Sequence, residues 1–347
     1  MQEDESTVAI GEKVGNEEAI YGFKYVESID VNTPALIVFG GDGSSASEAS
    51  NGYLSVLKKL LKRHNLDKSV RMYSVVYRSC NFSKEEKKEC PGYIQDIFDK
   101  VFLPRIVDEY GQRLSSTEAC NRVRKITVVA HCRGTEVVPK LEKIMQDKMQ
   151  ELGYSKEERE QIQHELLCVA FAPRAGFGNS KSTIISFGVI DDNERNHVLR
   201  WFNDERRYEH NNFYKLVKSY YSKACRSKFK SDGGFLFSYF PKGRGSLILA
   251  LSLGKEIDSH DFLGYSPLTK GLNFNGRMWA LMSENVIVNG IKNSISSKNL
   301  PSVEDLICGN NAFIKRFFKK IEQNGCKMWD KIKQDIIKNR KSRSIRD

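Results

Sequence analysis

Six short apolar runs place the strongest limit on what this chain of 347 residues can fold into. They fall at 34–39, 70–77, 126–131, 166–172, 183–190 and 246–253. Each is nearly continuous in aliphatic, small and aromatic residues instead of alternating with polar ones. That is the pattern of strands covered on both faces in a parallel sheet. Helical periodicity appears at 47–63, 93–110, 135–151, 155–164, 196–225 and 277–293, mostly between these runs. The alternation predicts the α/β class, with a doubly wound, mostly parallel sheet. Residues 201–244 interrupt the rhythm with aromatic and basic residues. They are expected either as a cap over a pocket or as an ordinary helical excursion.

Composition bounds the rest. At 40% hydrophobic residues the chain can bury a substantial core, enough for a large domain with insertions. The acidic opening, Met1 to Thr7, has neither a basic nor an apolar leader region, so residues 1–17 are expected as a flexible acidic lead without a Sec signal. No apolar run reaches the length of a membrane span. The expected location is the cytoplasm, with export by a dedicated secretion machine left open. Eight cysteines are scattered without C-x-x-C or zinc-type spacing, which reads as reduced thiols, with no disulfide framework and no metal site.

Charge is concentrated at one end. The formal net charge is +11, and residues 310–347 hold twelve basic against four acidic side chains, +8 of that total. The rest of the chain, 1–309, therefore carries only +3; it is expected as the acidic lead and a main domain, 18–309, followed by a basic C-terminal helical tail. Phe313, Phe317 and Ile321 recur at four-residue steps there. The tail either packs its apolar side on the domain or meets an acidic membrane surface or acidic partner. Nothing resembles a groove-reading or base-stacking motif, so nucleic acid is not an expected partner.

The chemistry-bearing stretch is Ile126-Thr-Val-Val-Ala-His-Cys-Arg-Gly134. A strand runs into a corner with Cys132 at its apex and small residues, Ala130 and Gly134, two positions to either side. That spacing suits a sharp strand-to-helix turn that lifts the central side chain off the sheet. Pro139 is expected in the second turn of the helix that follows, where it would kink it. Two further strand ends carry partners for a thiol: Asp191-Asp192 after the 183–190 run, and His260 after the 246–253 run. Catalytic groups in open α/β sheets collect at such ends. An imidazole can take the thiol proton, and a carboxylate can orient the imidazole. An oxyanion formed there needs backbone donors, expected from Arg133 and from Gly41 of the Gly40-Gly41-Asp42-Gly43 loop. Gly40, Asp42, His131 and Arg174 are expected to line the pocket. His131 points away from Cys132 along the strand, as a structural or wall residue. Arg133 either holds an acidic substrate, lowers the thiol pKa or forms an ion pair at the helix start.

The order of these elements over residues 33–265 resembles the α/β-hydrolase fold, in a variant with cysteine at the nucleophile elbow. The resemblance implies Cys132 as nucleophile, His260 as base and Asp191 as acid, with Asp192 in reserve; Asp191 follows Gly188 in the family's Gly-x-x-Asp arrangement. Cysteine at the elbow is similar to the dienelactone-hydrolase and polyhydroxyalkanoate-synthase branches, which form acyl-thioester intermediates. The implied activity is hydrolysis or acyl transfer on a small-molecule ester or thioester, with no cofactor. Two alternatives stand beside it. One is a non-catalytic binding module on the same fold. The other is a nucleotide-binding kinase, because Gly-Gly-Asp-Gly at 40–43 also resembles the signature of NAD kinases and diacylglycerol-type lipid kinases, where such turns bind phosphate.

Overall fold

The structure, a computed structural model, describes residues 7–10, 30–41, 53–75, 92–173, 177, 180–189, 235–239, 245–250, 274–296 and 299–323. Eight strands form one sheet: β1 (Thr7–Ile10), β2 (Ala35–Phe39), β3 (Arg71–Val75), β4 (Ile126–His131), β5 (Leu167–Phe171), β6 (Thr183–Val189), β7 (Phe235–Tyr239) and β8 (Gly245–Ala250). Their order is β1-β3-β2-β4-β5-β6-β8-β7. Every neighbouring pair is parallel except β7 with β8. The six apolar runs thus became β2, β3, β4, β5, β6 and β8.

Both faces of the sheet are covered, for a reason visible strand by strand. Along β2, Ala35, Ile37 and Phe39 enter one apolar cluster while Leu36 and Val38 enter the other. Along β5, Cys168 and Ala170 face the first cluster; Leu167, Val169 and Phe171 face the second. The first is closed by α2 (Gly92–Ile97), α3 (Ser116–Val123), α4 (Val137–Glu151) and α5 (Lys156–His164). The second is closed by α1 (Ser55–Arg63), α6 (Phe274–Ser296), α7 (Val303–Cys308) and a helix over 312–323, α8. Within it Trp279 of α6 sits edge-on to Phe171 and Phe187, with ring centroids 5.7 and 5.6 Å away. Such aromatic contacts add to the gain from burial itself.

Several expectations shift. Thr7–Ile10, inside the stretch expected as a flexible lead, pairs in register with β3. Phe235–Tyr239, inside the expected 201–244 insertion, is an edge strand of the sheet, not part of a cap; residues 201–234 lie outside the described ones. The helical candidate at 93–110 breaks up into α2, a π-helical turn over Phe98–Phe102 and a 3-10 turn over Leu103–Arg105. Pro104, which has no amide proton to give, sits in that last turn. In α8 the buried residues are Ile314, Phe317, Phe318 and Ile321, while Phe313 is half exposed. The first part of the basic tail therefore packs onto the domain, and Phe313 is off its apolar stripe. Residues 324–347 lie outside the described ones. Among the described residues, no helix is long and apolar enough to cross a membrane.

Candidate functional site

From β2 the chain crosses to β3 on one side, then returns to place β4 on the other. Such a reversal opens a crevice at the carboxyl ends of the two diverging strands, where connections leave in opposite directions. The register pairs Phe39 with Ala130, so Gly40-Gly41, after β2, and His131-Cys132, at the end of β4, lie side by side.

The corner after β4 is held in an unusual conformation. Cys132 has φ +49°; Asn65 and Ala172 are the other non-glycine residues with positive φ among those described. A left-handed backbone is unfavourable for a side chain with a Cβ, by about 1–3 kcal/mol, and persists where the surroundings enforce it. Two contacts do so here. The Thr135 hydroxyl donates to the Cys132 carbonyl at 2.6 Å. Gly134 lies directly against the end of β2: a Cβ there would stand 2.2 Å from the Phe39 carbonyl oxygen and 2.5 Å from that of Gly40. Glycine at 134 is thus required by a backbone-to-backbone approach, and that approach draws the elbow and the glycine loop together.

The turn continues as a 3-10 segment, Cys132–Glu136, before α4 begins at Val137. Pro139 accordingly falls in the first turn of α4, not the second. Amides in a first turn have no acceptor four residues back within the helix, so the missing N–H breaks no bond there.

His131 points toward the α1 side, as its parity on β4 requires, and meets a residue the sequence did not single out. The Tyr53 hydroxyl lies 3.0 Å from His131 Nδ1. The same oxygen accepts the backbone N–H of Gly41 at 2.7 Å. A Cβ on Gly41 would approach His131 Nδ1 to 3.1 Å and the Tyr53 oxygen to 3.3 Å, so a side chain there would push these two groups by a few tenths of an ångström. His131 is 7% exposed and Tyr53 half-buried. The Gly41 amide, expected to face an oxyanion directly, is thus engaged by Tyr53.

Cys132 itself is 3% exposed, yet it belongs to neither apolar cluster. Other thiols are embedded in them. Burial raises the Cys120 thiol to about 11 and the Cys308 thiol to about 12. It also pushes that of Cys168, in the middle of β5, well above the ordinary thiol range. Those three stay protonated at neutral pH and pack as small hydrophobes.

The structure therefore places Gly40, Gly41, His131, Cys132 and the half-buried Arg133 at the adjoining carboxyl ends of β2 and β4 and adds Tyr53. Asp42, Arg174, Asp191, Asp192 and His260 lie outside the described residues, although β6 and β8, which lead toward the last three, are adjacent and parallel. Among the described residues, no group of three or more His, Cys, Asp or Glu side chains is arranged to hold a metal ion. No protein-family model and no curated protein matches this chain.

Proposed function

We propose that the protein hydrolyses or transfers acyl groups from a small ester or thioester through an acyl-cysteine intermediate on Cys132. The observation that carries this reading is the left-handed Cys132, locked by the Gly134 contact with the backbone of Phe39 and Gly40. A strained backbone at a strand end beside a glycine loop has a use at a reacting centre, where it fixes a nucleophile against backbone donors. Strand order supports it as well. The strand feeding the glycine loop neighbours the strand feeding Cys132, and those leading toward Asp191 and His260 follow on one side. That is the order an α/β-hydrolase-like arrangement needs.

In this reading the Cys132 thiol gives its proton to His260, and the sulfur attacks the acyl carbon. Asp191, or Asp192, orients and charge-stabilises the imidazole. The tetrahedral oxyanion is met by the Arg133 amide and a donor from the glycine-loop side. His260 then returns the proton to the departing alcohol or thiol, and water or a second acceptor takes the acyl group from sulfur. No cofactor enters this chemistry.

The near-complete burial of Cys132 favours one competitor, a non-catalytic module on the same scaffold. Iodoacetamide at neutral pH separates the two. The proposal expects Cys132 to be alkylated well ahead of Cys120, Cys168 and Cys308. Labelling of Cys132 no faster than of these buried thiols would contradict it.

A further inference from the structure

We propose that the protein binds a small oxyanion, a carboxylate or a phosphate, on the guanidinium of Arg105, at the end of the sheet opposite Cys132. Arg105 closes the 3-10 turn over Leu103–Arg105 and is 0% exposed. Its Nη1 donates to the Val101 carbonyl at 2.9 Å. Its Nε and Nη2 are buried as well, and neither has a hydrogen-bond partner among the described residues. These two nitrogens make up one edge of the guanidinium, with parallel N–H bonds spaced for the two oxygens of a single carboxylate or phosphate. The unused donors are thus a matched pair. In Arg122 and Arg124 the Nε of that edge donates to a carboxylate, of Glu118 at 2.7 Å and of Glu165 at 2.8 Å.

Charge points the same way. Burial pulls the Arg105 guanidinium down to about 10, so it still carries its charge at neutral pH. A charge taken out of water needs a counter-charge close by. The groups whose fields reach Arg105 are Tyr73, Asp30 and Arg122. Asp30 is the carboxylate among them, but it is exposed, and its two oxygens accept the Asn32 amide and the Thr33 hydroxyl. Arg122 adds a second positive charge. Water can satisfy two buried donors, yet it brings no charge. An oxyanion supplies both at once. Asp30 precedes β2 and Arg122 precedes β4, which puts this place at the amino ends of the strands. It is separate from the acyl chemistry proposed for Cys132 and does not depend on it.

Thermal unfolding of the full-length protein in HEPES, whose sulfonate is bulky, with added sodium phosphate or sodium acetate tests this. At least one of the two anions should raise the midpoint along a saturable curve, by about 3 °C once it stands at tenfold its dissociation constant. Which of them does so tells a tetrahedral from a planar ligand. Arg105→Met should lose the saturable rise and keep only the shallow linear one that an excluded salt produces. Arg105→Lys keeps the charge without the paired edge. It should need about tenfold more anion, the cost of one charge-assisted hydrogen bond, and it decides the matter should Arg105→Met fail to fold. A purely linear response of the unmodified protein to both anions would overturn the proposal. So would a saturable response that either variant retains unchanged.

Discussion

At its amino end β4 is preceded by Arg124; at its carboxyl end it runs into His131 and Cys132. The first end is closed on itself. The Arg124 guanidinium donates to Glu165 at 2.8 Å, to Asn121 at 3.1 Å and to Asn299 at 3.0 Å, and the same Glu165 oxygen accepts the Leu300 amide. Arg124 and Glu165 are 5% and 10% exposed, yet these charges have close partners from three parts of the chain. The second end combines a left-handed cysteine, a glycine under backbone contact and a tyrosine–histidine pair at a topological switch. One end of the strand secures the fold, and the other holds strain that the fold sustains. A buried charge pair is costly to break by removing one partner, whereas backbone strain at a strand end is where a reacting group can be held.

Substitutions at the two ends should separate these roles. The largest effect is expected from Arg124→Met, which leaves Glu165 buried without its counter-charge. Urea unfolding should show a loss of about 3 kcal/mol, while the alkylation rate of Cys132 in the folded fraction stays the same. A large change in that rate would mean that the ends are coupled and the division is wrong. Gly134→Ala comes next, at about 2 kcal/mol, since its Cβ meets backbone carbonyls that cannot rotate away. Unlike Arg124→Met, it should also alter Cys132 alkylation, because the displaced atoms are those of the elbow and glycine loop. The smallest effect on stability belongs to Cys132→Gly. Relief of the left-handed backbone offsets the lost side-chain contacts, leaving stability within about 1 kcal/mol of the unmodified protein. A loss well beyond that in calorimetry would show Cys132 to be ordinary core.

Much of this architecture was legible in the sequence because parallel strands buried on both faces leave an unbroken apolar record. The runs at 126–131 and 183–190 match β4 and β6 to within a residue. The small residues around Cys132 likewise pointed to the corner, and Gly134 gives the physical reason. Other elements left weaker marks. β1 is four residues in an acidic stretch, too short for periodicity to register. β7, Phe-Leu-Phe-Ser-Tyr, was absorbed into an aromatic-rich segment, although aromatic enrichment also suits a strand. The short helix α3 leaves only a start signal: Ser115 accepts the Glu118 amide, an S-x-x-E spacing. Tyr53 could not be found from local pattern at all. It lies 78 positions from His131, and only the reversal of strand order between β3 and β4 brings them together. Local sequence records which strands are buried; it does not record which loop residues the topology joins.

The central claim is that Cys132 is an acyl-accepting nucleophile. Its most direct test is peptide mapping by mass spectrometry of the full-length protein quenched during reaction with p-nitrophenyl acetate at neutral pH. A transient single acetyl group is expected on the peptide carrying Cys132, absent in Cys132→Ala. An acetyl group spread over lysines and other cysteines, with none accumulating on Cys132, would contradict it.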